Sequence, residues 1–151
     1  MGANLPLQFV NSTFAELAVD QSTGALSPGG ILGGAGGVFD MAVTVGEGNV
    51  LDILFLCAAS HANGGRSGFF RIYVGPQGGP YNATRSAAFY AAANNATGDV
   101  GVKTRTAPLT AGNYRVQIYW YTDGGPGNLS CRPVVALTSE SASLTVRELR
   151  L

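Results

Sequence analysis

The chain has 151 residues, enough for one domain that buries roughly 70% of its unfolded surface without metal or disulfide staples. Nine basic and nine acidic residues cancel, so the basic stripe with which nucleic-acid binders displace counterions is missing. Charged residues make up only 12% of the chain, so little charge protects the surface from association, and other subunits are expected to cover part of it.

In chain order, residues 1–28 carry two short apolar pieces, LPLQFV and TFAELAV, and then the polar turn DQSTG. They read as a first strand pair or as an arm lying on a neighbour. Leu5, Leu7, Phe9, Val10, Phe14 and Leu17 would supply its contacts. Pieces this short cannot form a core alone but suit strand addition or pocket filling on a partner. The opening MGANLPLQFV lacks the basic and long apolar regions of a secretion signal, and Pro6 stands where a myristoylation signal wants Ser or Thr. No leader, lipid anchor or membrane span is therefore expected, and the four Asn-x-Ser/Thr sequons, at Asn11, Asn82, Asn95 and Asn128, are read as chance. GGILGGAGG, residues 29–37, reads as a flexible connector. A phosphate-binding reading fails because strand-like VFDMAVTV follows where a helix is required.

From Val38 onward the signals are those of strands. VFDMAVTV alternates, with Phe39, Met41, Val43 and Val45 on one face. VLDILFLC is apolar on both faces except for Asp52, so it is either a central covered strand or part of a subunit contact, and Asp52 needs a partner unless it lies near a strand end. GFFRIYVG is a further strand, whereas SAAFYAAA (86–93) suits a short helix or a strand equally. Four more runs follow: GVKTRTA, NYRVQIYWYT, LSCRPVVALT and ASLTVREL. In the second of these, Tyr114, Val116, Ile118 and Trp120 alternate with Arg115, Gln117, Tyr119 and Tyr121. Trp120 is assigned to the core, while Tyr119 and Tyr121 on the opposite face are candidate subunit contacts. In the last run Leu144 and Val146 share one parity and Leu149 and Leu151 the other, which a bulge or a chain end buried on both faces would explain.

About eight strands give an all-β reading: an antiparallel jelly-roll β-sandwich over 38–151, preceded by an N-terminal arm and Gly-rich connector over 1–37. Its expected core holds Phe39, Met41, Val43, Leu54, Ile72, Val116, Ile118, Trp120, Leu144 and Val146. The chemistry-bearing residues are few. The single histidine, His61, reads as a solvated loop residue, because no G-x-S-x-G elbow occurs and neighbouring Ser60 is badly placed to pair with it. One His and two separated Cys give no zinc spacing, and no calcium loop occurs. Cys57 and Cys131 read as free buried thiols, or as a disulfide if their strands face each other. Neither catalytic residues, cofactor nor metal is expected, and nucleic acid and membrane are not expected partners.

The succession FFRIYVGPQGGPYNA, TRTAPLTAGNYRVQIYWY, a Gly-rich turn and SLTVREL resembles the jelly-roll domains of tailed-phage virions, which are often compared with the trimeric tumour-necrosis-factor-like fold. The resemblance covers roughly Val38 to Leu149. It implies a viral structural protein, most like a capsid decoration (cement) protein. Such a protein would be made in the host cytoplasm, form a homotrimer and bind the major capsid protein on the virion surface. The alternative it implies is the receptor- or glycan-binding head of a tail fibre, acting through exposed Tyr residues and the loops 61–66 and 76–85.

Overall fold

The computed structural model describes residues 6–17, 19–124, 127–132 and 142–151, and Arg132 by its backbone alone. All regular structure among them is β, in eleven strands: β1 Gln8–Glu16, β2 Gln21–Thr23, β3 Gly30–Ile31, β4 Asp40–Val45, β5 Val50–His61, β6 Arg66–Pro76, β7 Asn82–Ala91, β8 Thr97–Arg105, β9 Gly112–Thr122, β10 Leu129–Arg132 and β11 Ser143–Arg150. No helix among the described residues is long and apolar enough to cross a membrane. Two antiparallel sheets face each other as a jelly-roll sandwich.

The first sheet is built around β5. One edge of β5 pairs with β8; the other pairs with β11 over residues 50–56 and with β10 over residues 58–61. β1 lies outside β11, and β2 lies outside β10. The second sheet is built around β9, with β6 and then β7 on one side and β4 and β3 on the other. Period-two patterning places one face of each central strand inside. Leu51, Ile53, Phe55, Cys57 and Ala59 of β5 meet Phe70, Ile72, Val116, Ile118 and Trp120 of the second sheet. Phe39, Phe55 and Phe70 form a chain of rings with centroids 5.5 and 5.6 Å apart, and Trp120 joins it at 6.2 Å from Phe70. The expected core residues are buried here, with two qualifications. Val43 packs against the core but is only half-buried, and Leu54 lies on the outer face of the first sheet, because its even parity points away from Phe55.

Two open readings are decided and one expectation changes. SAAFYAAA takes its strand alternative: β7 pairs along β6 from Arg66↔Ala91 to Val74↔Asn82, and Phe89 and Ala91 enter the core. The stretch expected as an arm is strand β1, registered on β11 from Gln8↔Arg150 to Glu16↔Ser143, with one bulge between Phe9 and Asn11. The Gly-rich stretch is not a loose connector. Gly30 and Ile31 pair with Trp120 and Tyr119, Leu32 donates its N–H to the Ile118 carbonyl at 2.8 Å, and its side chain is fully buried. Gly33, Gly34 and Gly36, all at positive φ, then turn the chain into β4.

Candidate interaction surfaces

The structure separates the sequence-predicted contact residues. Leu5 lies outside the described residues. Leu7, Phe9, Val10 and Phe14 are exposed, Phe9 at 63% and Phe14 at 58%. Leu17 is instead buried: its N–H bonds the Ala142 carbonyl at 2.9 Å, and its side chain packs among the core residues at 5% exposure. Tyr121 is also buried, because Phe69 stacks on its ring at 4.8 Å and the Arg71 guanidinium covers it at 5.0 Å. Tyr119 is half-buried beside Tyr73, with ring centroids 4.5 Å apart.

On the outer face of the first sheet, register brings Phe14 beside Thr145 and Thr145 beside Leu54, while Leu56 sits one pleat further along β5, between Ser143 and Gly101. Leu56 is exposed, and its Cδ2 would lie 3.2 Å from a Cβ at Gly101, so glycine there leaves the leucine uncovered from the β8 side. A row of charge crosses the same face. Asp52, the third residue of β5, accepts from Arg105 Nε and Nη2 at 3.2 and 3.1 Å and lies 3.9 Å from Lys103 Nζ, so it is both near a strand end and paired. Leu54, Thr145, Lys103 and Arg147 line a small depression there. The apolar patch is continuous with β1, whose far edge carries no strand among the described residues. That edge is nine residues long, holds no Lys or Pro, and has Glu16 as its single charge. Natural edges are normally blunted by such residues.

The outer face of the second sheet is polar and aromatic. Asp40 accepts from the Gly36 N–H at 2.8 Å, from Gln117 Nε2 at 3.0 Å and from Arg115 Nη1 at 3.0 Å. Burial by itself would raise its pKa. The Gly36 N–H, the Gln117 amide and the Arg115 guanidinium outweigh that and hold the carboxyl below its ordinary value of 3.8. Because the native value is depressed, Asp40 contributes stability in full above pH 3.8, and that contribution is lost as pH falls through the lower native value. Asp40→Asn should therefore lower the urea midpoint at neutral pH, and the gap to the parent protein should narrow as pH falls below 3.8. A gap that persists unchanged in acid would show that the anion contributes nothing.

His61 is not a solvated loop residue. It ends β5 and is fully buried, because both ring nitrogens find partners inside the sandwich. Nδ1 lies 3.1 Å from both the Asn63 N–H and the Asn63 carbonyl oxygen, and Nε2 is hydrogen-bonded to Thr122 Oγ1 at 2.9 Å, whose oxygen lies 3.3 Å from the Ser67 carbonyl. The ring is a structural link between sheets. Cys57 and Cys131 are free, buried thiols on neighbouring strands. Hydrogen bonding to Cys131, together with burial, pushes the Cys57 thiol far above its ordinary value and suppresses the reactive thiolate. No group of three His, Cys, Asp or Glu among the described residues could hold a metal ion. The signal that could have placed His61 inside is weak: it is one polar residue at core parity, two residues beyond Ala59.

No family model and no curated protein matches the sequence. Among solved structures, Eiger, a tumour necrosis factor from S. frugiperda, superposes with a TM-score of 0.56 at 8% identity, covering 97% of this chain and 94% of that one. A chain from the infectious bursal disease virus Gt strain matches at TM-score 0.49 and 12% identity, over 93% of this chain and 38% of its own. A chain of the VP2 subviral particle of that virus gives 0.46 and 13%, over 91% and 32%. The likeness to Eiger concerns fold alone: the chain folds as an antiparallel jelly-roll β-sandwich.

Proposed function

We propose that this protein is a non-enzymatic virion surface protein, a decoration (cement) protein that binds an assembled capsid as a homotrimer. The observation that carries the reading is the unprotected outer edge of β1 with Phe9 and Phe14 exposed on it, next to the uncovered Leu54–Leu56 patch. A monomer holding these in water would be prone to association. The resemblance of the strand succession to phage virion jelly rolls supports the choice of partner, and the low surface charge supports a molecule that works in an assembly. In this reading copies of the chain meet through Leu54, Leu56 and Gly101, and the β1 edge, with Leu7, Phe9 and Val10, contacts the major capsid protein. Binding only the assembled lattice would stabilise the particle by mass action.

Two substitution sets test the two contacts. Leu54→Glu with Leu56→Glu should turn the trimer into a monomer in light scattering, since both side chains are on the outer face and their replacement leaves the core intact. Phe9→Ser with Phe14→Ser should abolish attachment to purified particles lacking the protein, at unchanged far-ultraviolet spectrum. Undiminished decoration by the serine variant, or recovery of the parent protein only from tail tips, would reject the capsid reading in favour of a receptor-binding head.

A further inference from the structure

We infer that the capsid partner is held by strand addition: an extended segment of that partner pairs with the outer edge of β1 and carries the first sheet outward by one strand. The inference rests on the capsid reading and names how that contact is made. What carries it is the direction in which β1 points its backbone. Leu17 donates its N–H to the Ala142 carbonyl at 2.9 Å, and the register runs on as Ala15↔Leu144 and Thr13↔Val146. In an antiparallel pair, residues that exchange bonds alternate with residues whose N–H and C=O point the other way. Leu17, Ala15 and Thr13 therefore face β11. Ser12 and Phe14 turn their N–H and C=O to the edge, where no strand lies among the described residues. The other outer strands are guarded: β2 and β3 are three and two residues long, β4 begins with Asp40, β7 carries Arg85, and β8 carries Asp99, Lys103 and Arg105.

Phe9 and Phe14 are five residues apart, which in a regular strand would set them on opposite faces. The bulge between Phe9 and Asn11 adds one residue, so Phe9 stands opposite Leu149 and Phe14 opposite Thr145, two positions of the same parity in β11. Leu144, Val146 and Glu148 hold the inward parity and are buried. Both phenylalanines therefore rise from the outer face beside the open edge.

These groups select the occupant. Ser12 and Phe14 each present a donor and an acceptor, about 7 Å apart along the edge, and an extended chain repeats its own donor and acceptor at that interval. A helix has its backbone groups bonded internally and meets none of them. The side chains of the added strand that share the outer face would cover Phe9 and Phe14, so the segment is apolar at every second position. A second copy does not fit the trimer: β1 paired to β1 across a two-fold axis would join trimers into an open network, whereas one strand from each capsid subunit closes each edge once.

The test removes one outward donor and keeps both rings. Ser12→Pro deletes the N–H that faces the open edge, and an edge strand tolerates proline at such a position. The full-length variant should keep the far-ultraviolet spectrum and urea midpoint of the parent. It should bind purified particles lacking the protein about tenfold more weakly, through the lost hydrogen bond and the bulk of the ring. Hydrogen exchange of the parent protein is a second measurement that does not depend on how the variant folds. The Ser12 and Phe14 amides should exchange fast in the free chain and slowly on particles, while those of Thr13 and Ala15 are slow in both. Parent-like attachment of Ser12→Pro, or fast exchange at Ser12 and Phe14 on particles, overturns strand addition and leaves the capsid reading standing. Slow exchange at these two amides in concentrated protein without particles also overturns it, because a second copy then takes the edge. A parent protein that leaves particles bare overturns the capsid reading and strand addition together, an outcome distinct from the others.

Discussion

Phe55→Ala should destabilise the protein by about 3–5 kcal/mol, the largest effect expected of any single core truncation here. Phe55 is fully buried at the midpoint of β5, the strand that pairs with three others. Its ring meets Phe39 edge-on at 5.5 Å and Phe70 at 5.6 Å, so it joins the first sheet to the second. Removing it loses the transfer free energy of the ring and leaves a cavity that rigid neighbours cannot collapse into. Phe39 is anchored by its carbonyl, which accepts the Ile118 N–H at 3.1 Å, and Phe70 is held between Trp120 and Ala87 by strand pairing. Urea unfolding monitored by Trp120 fluorescence should show a lower midpoint with an unchanged slope. A midpoint within experimental error of the parent would mean that the sheets repack around the loss.

The fold was legible where alternation was strong. NYRVQIYWYT and SLTVREL each carry a period of two that names the core face correctly, and Tyr114, Val116, Ile118 and Trp120 point inward as the pattern requires. VLDILFLC was harder, because Leu54 and Leu56 are as apolar as Ile53 and Phe55 and only sheet packing shows which pair is covered. For β1 the strand reading stood beside that of an arm for a related reason. The bulge between Phe9 and Asn11 shifts the alternation, so the stretch read as two apolar fragments. The aromatic face of the second sheet could be read only for Tyr119 and Tyr121. Its other members, Phe69, Arg71, Tyr73 and Tyr90, come from β6 and β7 and are brought beside them by pairing that no local pattern announces.

Gly29 illustrates what composition conceals, and Gly29→Ala should cost about 3 kcal/mol although it adds a single methyl group to a stretch that reads as slack. Two effects combine. Gly29 has φ +76°, a left-handed conformation that costs a non-glycine residue about 1–2 kcal/mol. A Cβ there would also stand 2.1 Å from the Trp120 carbonyl oxygen and 2.8 Å from Tyr121 Cβ, on the central strand of the second sheet. Neither atom can retreat: Trp120 is paired with Gly30 on one side and Phe70 on the other. Relief would have to come from the turn itself, by breaking the Gly29 N–H bond to the Leu26 carbonyl at 2.8 Å and lifting β3, which would also draw Leu32 out of the core. Overpacking of this kind adds about 1–3 kcal/mol. Gly33 separates the two effects, since its φ is +80° but a Cβ would meet nothing within 4 Å. Gly33→Ala should therefore show the backbone cost alone, and the difference between the two variants in urea unfolding measures how tightly the 29–32 segment is locked onto β9. Equal losses at both positions would mean that this segment is as loose as its composition suggests.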